Sequence, residues 1–223
     1  MTKKKLASVI IIIFFVFNVT AQSTTKRVDS IIHQMTLKEK IDFIGGYNDF
    51  NIRPFKKYGI PEIHMADGPV GVRNNGASTA FPASITLAAS WDNALAKKVG
   101  PAIGMEAKSK NIHIVFGPGM NIYRAAFNGR NFEYLGEDPF LAGEIASSYI
   151  TGMQSEGVVA TAKHYAANFM EYNKHKVSSD MDERTLREIY LPAFKACVDK
   201  GKTGAVMTAY NLVNGEHCSQ NLF

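Results

Sequence analysis

Four short segments carry side chains suited to holding a polyhydroxylated ligand. Asp67-Gly68-Pro69-Val70-Gly71-Val72-Arg73 is a glycine-bearing turn. Such a turn lets backbone come close to a ligand, and a carboxylate such as Asp67 can accept hydrogen bonds from two adjacent hydroxyls. Gly129-Arg130-Asn131-Phe132-Glu133-Tyr134 leads into Gly136-Glu137-Asp138-Pro139 and combines the fixed donors of Arg130 with flat aromatic faces. Lys163-His164 sets two donors side by side, and Met207-Thr208-Ala209-Tyr210-Asn211 supplies a phenol that can donate to, or orient, a carboxylate. Sugars present both hydroxyls and apolar C–H faces, so together these residue types suit a sugar. Taken singly, each has a structural reading as well. Asp67 can cap a turn, Arg130 can pair with a glutamate on a surface loop, His164 can be a satisfied core histidine, and Tyr210 can be a packed aromatic.

Other chemistries lack their motifs. His164 has no cysteine or second histidine at ligand spacing, so no metal is expected. Gly117-Pro118-Gly119 lacks the third glycine of a dinucleotide fingerprint. A phosphate loop and a Gly-x-Ser-x-Gly nucleophile elbow are both absent, and no cofactor is implied.

The elements that must position these residues follow from pattern and capping. Residues 22–35 predict a helical entry segment. Thr36 and Glu39 form a capping box ahead of Ile41, Phe43 and Ile44, and Gly45-Gly46 stops that helix. The apolar stretch Ile60 to Met65 runs into Asp67. Ala80 to Leu87 reads as a strand despite Pro82. Asn93 caps a helix to about Lys110, and Ile112 to Phe116 is a compact strand. Asp138-Pro139 opens a helix to about Ser155, and Val158 to Ala162 is a strand ending at Lys163-His164. Asp182 caps a helix through Val198 that Pro192 must kink or split in two, and Ala205 to Ala209 is the last strand. That alternation means a parallel sheet under helices. An open doubly wound sheet and a (β/α) barrel both fit it. Polar residues arriving at the ends of several different strands favour the barrel, whose strand-to-helix loops gather at one face. Roughly five candidate strands against the eight of a closed barrel predict an incomplete TIM-type (β/α)8 barrel, its N-terminal part only.

The 223 residues carry 46% hydrophobic and 20% charged residues, which suits a globular chain and excludes disorder. The formal charge of +5 is largely a feature of the first residues. Lys3, Lys4 and Lys5 precede an apolar run from Leu6 to Phe17, then Val19-Thr20-Ala21, the pattern of a signal peptide over residues 1–21. The run is shorter than the roughly 20 residues a stable membrane span needs. An uncleaved anchor is the alternative reading. Without the three leader lysines, 22 basic residues face 20 acidic ones, a net charge of +2. No basic stripe remains, so nucleic acid is not an expected partner. Export to the periplasm or medium is expected, with no stable membrane anchor after cleavage. There Cys197 and Cys218 meet an oxidising compartment; spacing leaves a disulfide open, and two buried thiols is the preferred reading.

In order along the chain, Asp67–Arg73, Gly129–Glu133, Gly136–Pro139, Lys163-His164-Tyr165, Asp182-Glu183-Arg184-Thr185-Leu186-Arg187-Glu188 and Met207–Asn211 resemble glycoside hydrolase family 3. The match is to the branch of secreted β-glucosidases and β-xylosidases, from about residue 30 to the last residue. The resemblance implies a barrel domain at residues 22–223 and a sugar-holding subsite made of Asp67, Arg73, Arg130, Lys163, His164 and Tyr210. Lys174 stands where the family usually has an arginine, which exchanges a planar fork for a point charge. The N-acetylhexosaminidase branch carries a Pro-Gly-His stretch after its Lys-His. Here Tyr165-Ala166-Ala167-Asn168 follows, which argues against that chemistry. Family members are retaining enzymes with a carboxylate nucleophile and a second carboxyl as acid/base. The resemblance places both beyond Phe223, so no catalytic residue is expected within the chain. Glu133, Glu137, Asp138, Glu171, Asp180 and Asp182 match neither catalytic position. The expectation is therefore a β-glucosidase-like fragment, acting on β-linked oligosaccharides or glycosides only as part of a longer enzyme. A non-catalytic sugar-binding protein using the same half-site is the second reading, and a scaffold that binds no sugar is the third.

Overall fold

A computed structural model describes residues 24–73 and 76–222. The leader read at residues 1–21 lies outside them. Local chemistry starts most helices where the sequence puts them. Helix α1 is Thr24–Gln34 and α2 is Leu37–Ile44. At α2 the Glu39 amide donates to Thr36 Oγ1 at 3.2 Å and the Thr36 amide donates to Glu39 Oε2 at 2.8 Å, the complete capping box. Strand β1 (Asn51–Ile52) leads into β2 (Ile63–Asp67).

The strand expected over Ala80 to Leu87 is a correction. Its core is helix α3, Ser84–Ala88. Pro82 has no amide for a ladder, and Ser84 and Ala88 are the residues buried there, one helical turn apart. Helix α4, Asn93–Ser109, is capped by Asp92 rather than by Asn93. Asp92 Oδ1 accepts from the Ala94 and Leu95 amides at 2.8 and 3.0 Å, because Asp92 is the last residue in extended backbone.

Strand β3 is Ile114–Phe116, and α5 is Pro139–Gln154 with Asp138 accepting from the Leu141 amide at 2.9 Å. Strand β4 spans Val159–Tyr165 and β5 is the short pair Ser178–Ser179. Asp182 caps α6 (Glu183–Thr185), which widens into a π-helical turn over Leu186–Tyr190 before α7 (Pro192–Asp199). Pro192 therefore divides the segment into abutting helices. The π turn is closed by the Leu191 amide on Leu186 O at 3.0 Å, just before the residue that has no amide. Strand β6 is Ala205–Thr208, followed by β7 (Leu212–Val213) and β8 (Glu216–His217).

The main sheet has the order β1-β2-β3-β4-β6. β1 is antiparallel at one edge, and β2, β3, β4 and β6 are parallel. The four parallel strands neighbour one another in chain order, with helices in every crossover. A doubly wound sheet reverses its order at a switch point; this one does not, and it is the opening part of a (β/α) barrel. β5, β7 and β8 form a separate small sheet. Its β7–β8 hairpin turns on Asn214 (φ 51°) and Gly215 (φ 86°), the left-handed pair that a two-residue hairpin requires.

The core lies between the sheet and α4, α5 and α7. α5 crosses α4 at backbone contact: a Cβ on Gly100 would sit 2.2 Å from Tyr149 O, and one on Gly152 would sit 2.6 Å from Lys97 O. Cys197 is buried and Cys218 partly buried, and both are free thiols. No helix among the described residues is long and apolar enough to cross a membrane.

Candidate functional site

The ends of the parallel strands deliver the predicted residues to one face. Asp67 ends β2, and Lys163 and His164 lie near the end of β4. Arg130 lies in the long loop after β3, and Tyr210 lies two residues beyond β6. The β4–β6 register shifts between Lys163 and Tyr165, and there Lys163 and His164 both turn inward, each 1% exposed. An irregularity of this kind re-aims side chains that a regular strand would send to opposite faces.

The charged groups interlock. Lys163 Nζ donates to Asp67 Oδ1 at 2.5 Å and stands 3.3 Å from Glu133 Oε2. The second oxygen of Asp67 accepts from Arg73 Nη2 at 2.5 Å. Arg130 Nε donates to Glu133 Oε1. Glu133 is wholly buried, placed there by the 3-10 turn Asn131–Glu133. Burial works against the Arg130 charge, but the bond and charge of Glu133 overcome it and hold the guanidinium above its ordinary range.

A second limb begins at Glu171, 4.0 Å from Arg130 Nε. Lys174 Nζ donates to Glu171 Oε2 at 3.0 Å, and Asn168 Nδ2 donates to Glu171 Oε1 at 3.0 Å. Burial alone would raise the Glu171 carboxyl; the bonds from Asn168 and Lys174 bring it below the usual glutamate range. Lys174 also lies over the Tyr210 ring at 5.0 Å, and His175 meets that ring edge-on at 4.9 Å. Asn168 Nδ2 also reaches Tyr134 Oη at 3.0 Å, and Tyr134 Oη lies 3.0 Å from His164 Nδ1. The backbone of His164 is clamped by Asn121, which accepts from its amide and donates to its carbonyl, both at 2.9 Å. Burial, reinforced by Arg130, Lys163 and Lys174, brings the His164 imidazole down to about 2, so it is neutral.

All seven predicted residues thus belong to one network: Asp67, Arg73, Arg130 and Lys163 through Glu133, and His164, Lys174 and Tyr210 through Glu171. The sequence reading allows Arg130 a glutamate partner on a surface loop; that partner is Glu133, and it is buried. Glu171 carries no assigned role in that reading, Tyr134 only that of an aromatic face, and Asn121 and Asn168 escape it. The signal for the glutamates is their spacing, since Arg130–Glu133 and Glu171–Lys174 are both i,i+3 pairs. The partners of Asn121 and Asn168 lie across the fold, and spacing carries no trace of them. The cluster gathers cationic donors with neutral ring and phenol groups, residue types that can hydrogen-bond hydroxyls. Among the described residues no group of three or more His, Cys, Asp or Glu could hold a metal ion.

A chain-ordered parallel sheet with a polar site at its strand ends defines the opening part of a (β/α) barrel. The model of the glycosyl hydrolase family 3 N terminal domain matches residues 18–222, and the chain belongs to that family. It is 45% identical over 208 residues to a thermostable beta-glucosidase B of Acetivibrio thermocellus, covering 88% of this chain and 28% of the relative. Among solved structures, a beta-glucosidase 3B from Thermotoga neapolitana in complex with glucose superposes with a TM-score of 0.82 at 41% identity, over 87% of this chain and 31% of that one. A beta-glucosidase from Kluyveromyces marxianus in complex with glucose gives 0.85 at 37% identity, over 87% and 24%. The chain spans under a third of the length of each of these proteins.

Proposed function

We propose that this chain is the sugar-holding N-terminal part of a retaining, β-glucosidase-like exo-glycosidase, and that by itself it binds a terminal β-glucosyl unit without cleaving the bond. The observation that carries this reading is the state of the carboxylates at the site. Asp67 is engaged through both oxygens, Glu133 is buried between Arg130 and Lys163, and Glu171 is tied to Asn168 and Lys174. A nucleophile needs an oxygen open to the anomeric carbon, and a general acid needs a carboxyl held above its ordinary range. Glu171 is moved the other way. The site is built to bind, and nucleophile and acid/base are proposed to come from outside residues 1–223. The glucose-bound relatives support the substrate class.

The test is paired. Calorimetric titration of the chain with glucose is expected to saturate, and its activity on aryl β-glucosides is expected to be absent. Substantial turnover that Lys163→Ala abolishes would overturn the reading. We also propose export, on the leader pattern of residues 1–21. The mass of the mature protein recovered outside the cytoplasm checks it, with cleavage after Ala21 expected.

A further inference from the structure

We propose that Asn168 and Tyr134 form an ordered relay that fixes His164 in the tautomer carrying its proton on Nε2, so that this nitrogen presents a donor to a hydroxyl oxygen of the bound ligand. The ligand half of this proposal rests on the sugar-holding reading above; the tautomer half does not.

Hydrogen counting along the chain of contacts carries it. Glu171 is bonded by Lys174 at 3.0 Å with Arg130 close by, so it is ionised and can only accept. The Asn168 atom 3.0 Å from Glu171 Oε1 must then be its amide nitrogen, which settles the orientation of that side chain. The same nitrogen has a second hydrogen, and Tyr134 Oη lies 3.0 Å from it. Tyr134 Oη therefore accepts from Asn168, and its single hydrogen goes to His164 Nδ1 at 3.0 Å, since an Nδ1–H donating to Oη instead would leave that buried hydroxyl hydrogen without an acceptor. Tyr134 is fully buried, and burial keeps its phenol protonated. With Nδ1 accepting, the proton of a neutral imidazole must sit on Nε2. His164 is 1% exposed, and its Nε2 has no hydrogen-bond partner among the described residues. A ring N–H without a protein partner is a group that a ligand oxygen would satisfy. Tyr134 and Asn168 are thus positioning residues acting through His164.

Long-range proton–nitrogen NMR on the unliganded chain, labelled at histidine, reads the tautomer directly. His164 is expected to show a protonated Nε2 and an unprotonated, hydrogen-bonded Nδ1. Tyr134→Phe is expected to shift the Nδ1 resonance and mix the tautomers, while the other histidines stay put. A merely structural role for Tyr134 would leave that pattern unchanged. Titrating glucose into the wild-type chain should move the Nε2 signal, and Tyr134→Phe should weaken glucose affinity by about tenfold, one hydrogen bond's worth. A protonated Nδ1 in the wild-type chain, or a His164 pattern indifferent to Tyr134→Phe, overturns the relay. An Nε2–H tautomer that responds to Tyr134→Phe, in a chain that binds no glucose, leaves the relay standing and removes the sugar-holding reading.

Discussion

Lys163 is placed where a single charge would serve both stability and the proposed sugar binding. It is 1% exposed and stands between Asp67 and Glu133, so the cost of its desolvation is offset only because both carboxylates are in place. Lys163→Met leaves Glu133 buried with one fewer cation, and the expected loss is about 3 kcal/mol in urea unfolding, at the low end for a broken buried pair because Arg73 and Arg130 stay. Glucose binding should disappear from the same variant in calorimetry. His164 gives a pH signature. Its folded pKa, about 2, lies below the unfolded value of 6.5, so below pH 6.5 the unfolded chain takes up a proton that the folded chain refuses. The stability of the folded state is therefore expected to fall as pH drops through 6.5 toward 2, with this residue contributing about 1.4 kcal/mol per pH unit well below 6.5. Unfolding curves at pH 7, 6 and 5 should be flatter for His164→Asn than for the wild type. Below pH 4.5 protonation of Glu171 adds a loss of the same sign.

Among the elements, the α4–α5 crossing fixes the platform on which the site loops stand. A Cβ at Gly100 would sit 2.2 Å from Tyr149 O and 2.7 Å from the Met153 amide nitrogen, so the backbone of α5 leaves no room for a methyl group. Tyr149, in that same turn, sends its hydroxyl to the carbonyls of Gly68 and Pro69 at 3.4 and 3.2 Å, directly after Asp67. Gly100→Ala must push the helices apart, and about 3 kcal/mol of destabilisation is expected, with weaker glucose binding as the Asp67 loop shifts. Gly46→Ala is the matched control. A Cβ there meets nothing within 4 Å, and its unfolding midpoint should stay close to that of the wild type.

At the scale of the whole molecule, the sheet ends on β6. Val206 on that strand is 46% exposed, and Val198 on the neighbouring α7 is 51% exposed. An edge strand with apolar residues on it is a template for pairing with another chain. The isolated chain is expected to self-associate with rising concentration in sedimentation runs. Val206→Lys should suppress that association with little change in unfolding midpoint, since a charged edge discourages pairing.

Sequence alone determined what depends on neighbours a few residues apart. The caps at Thr36, Asp138 and Asp182, the break at Pro192 and the strand end at Asp67 are set by local hydrogen bonding and by a missing amide, so they are legible in order along the chain. The strand expected to end at Lys163-His164 instead runs on to Tyr165, and a register shift within it turns both side chains inward. The parallel sheet follows from alternation. Of the seven proposed sugar-holding residues, Asp67, Arg130, Lys163, His164 and Tyr210 are suggested by chemistry and by their place along the chain, and Arg73 and Lys174 by family resemblance alone. Where local signals competed, the reading slipped. Asp92 took the cap from Asn93, because backbone conformation chooses between two good capping residues. Only the second half of Ala80–Leu87 is regular, and it packs as the helix Ser84–Ala88, because the burial of Ser84 and Ala88 one turn apart outweighs a weak apolar run. The Asn214-Gly215 hairpin was legible from its dipeptide and passed unread. Only the tertiary structure decided how the site is wired. Glu133 and Glu171 bridge, Asn121 clamps His164 from 43 residues away, and Tyr134 reaches it across 30. Such partners are chosen by the side-by-side packing of the parallel strands, which brings distant strand ends within hydrogen-bond reach. The protonation states at the site follow from that packing, because burial and the charges that oppose it exist only once the strands have met.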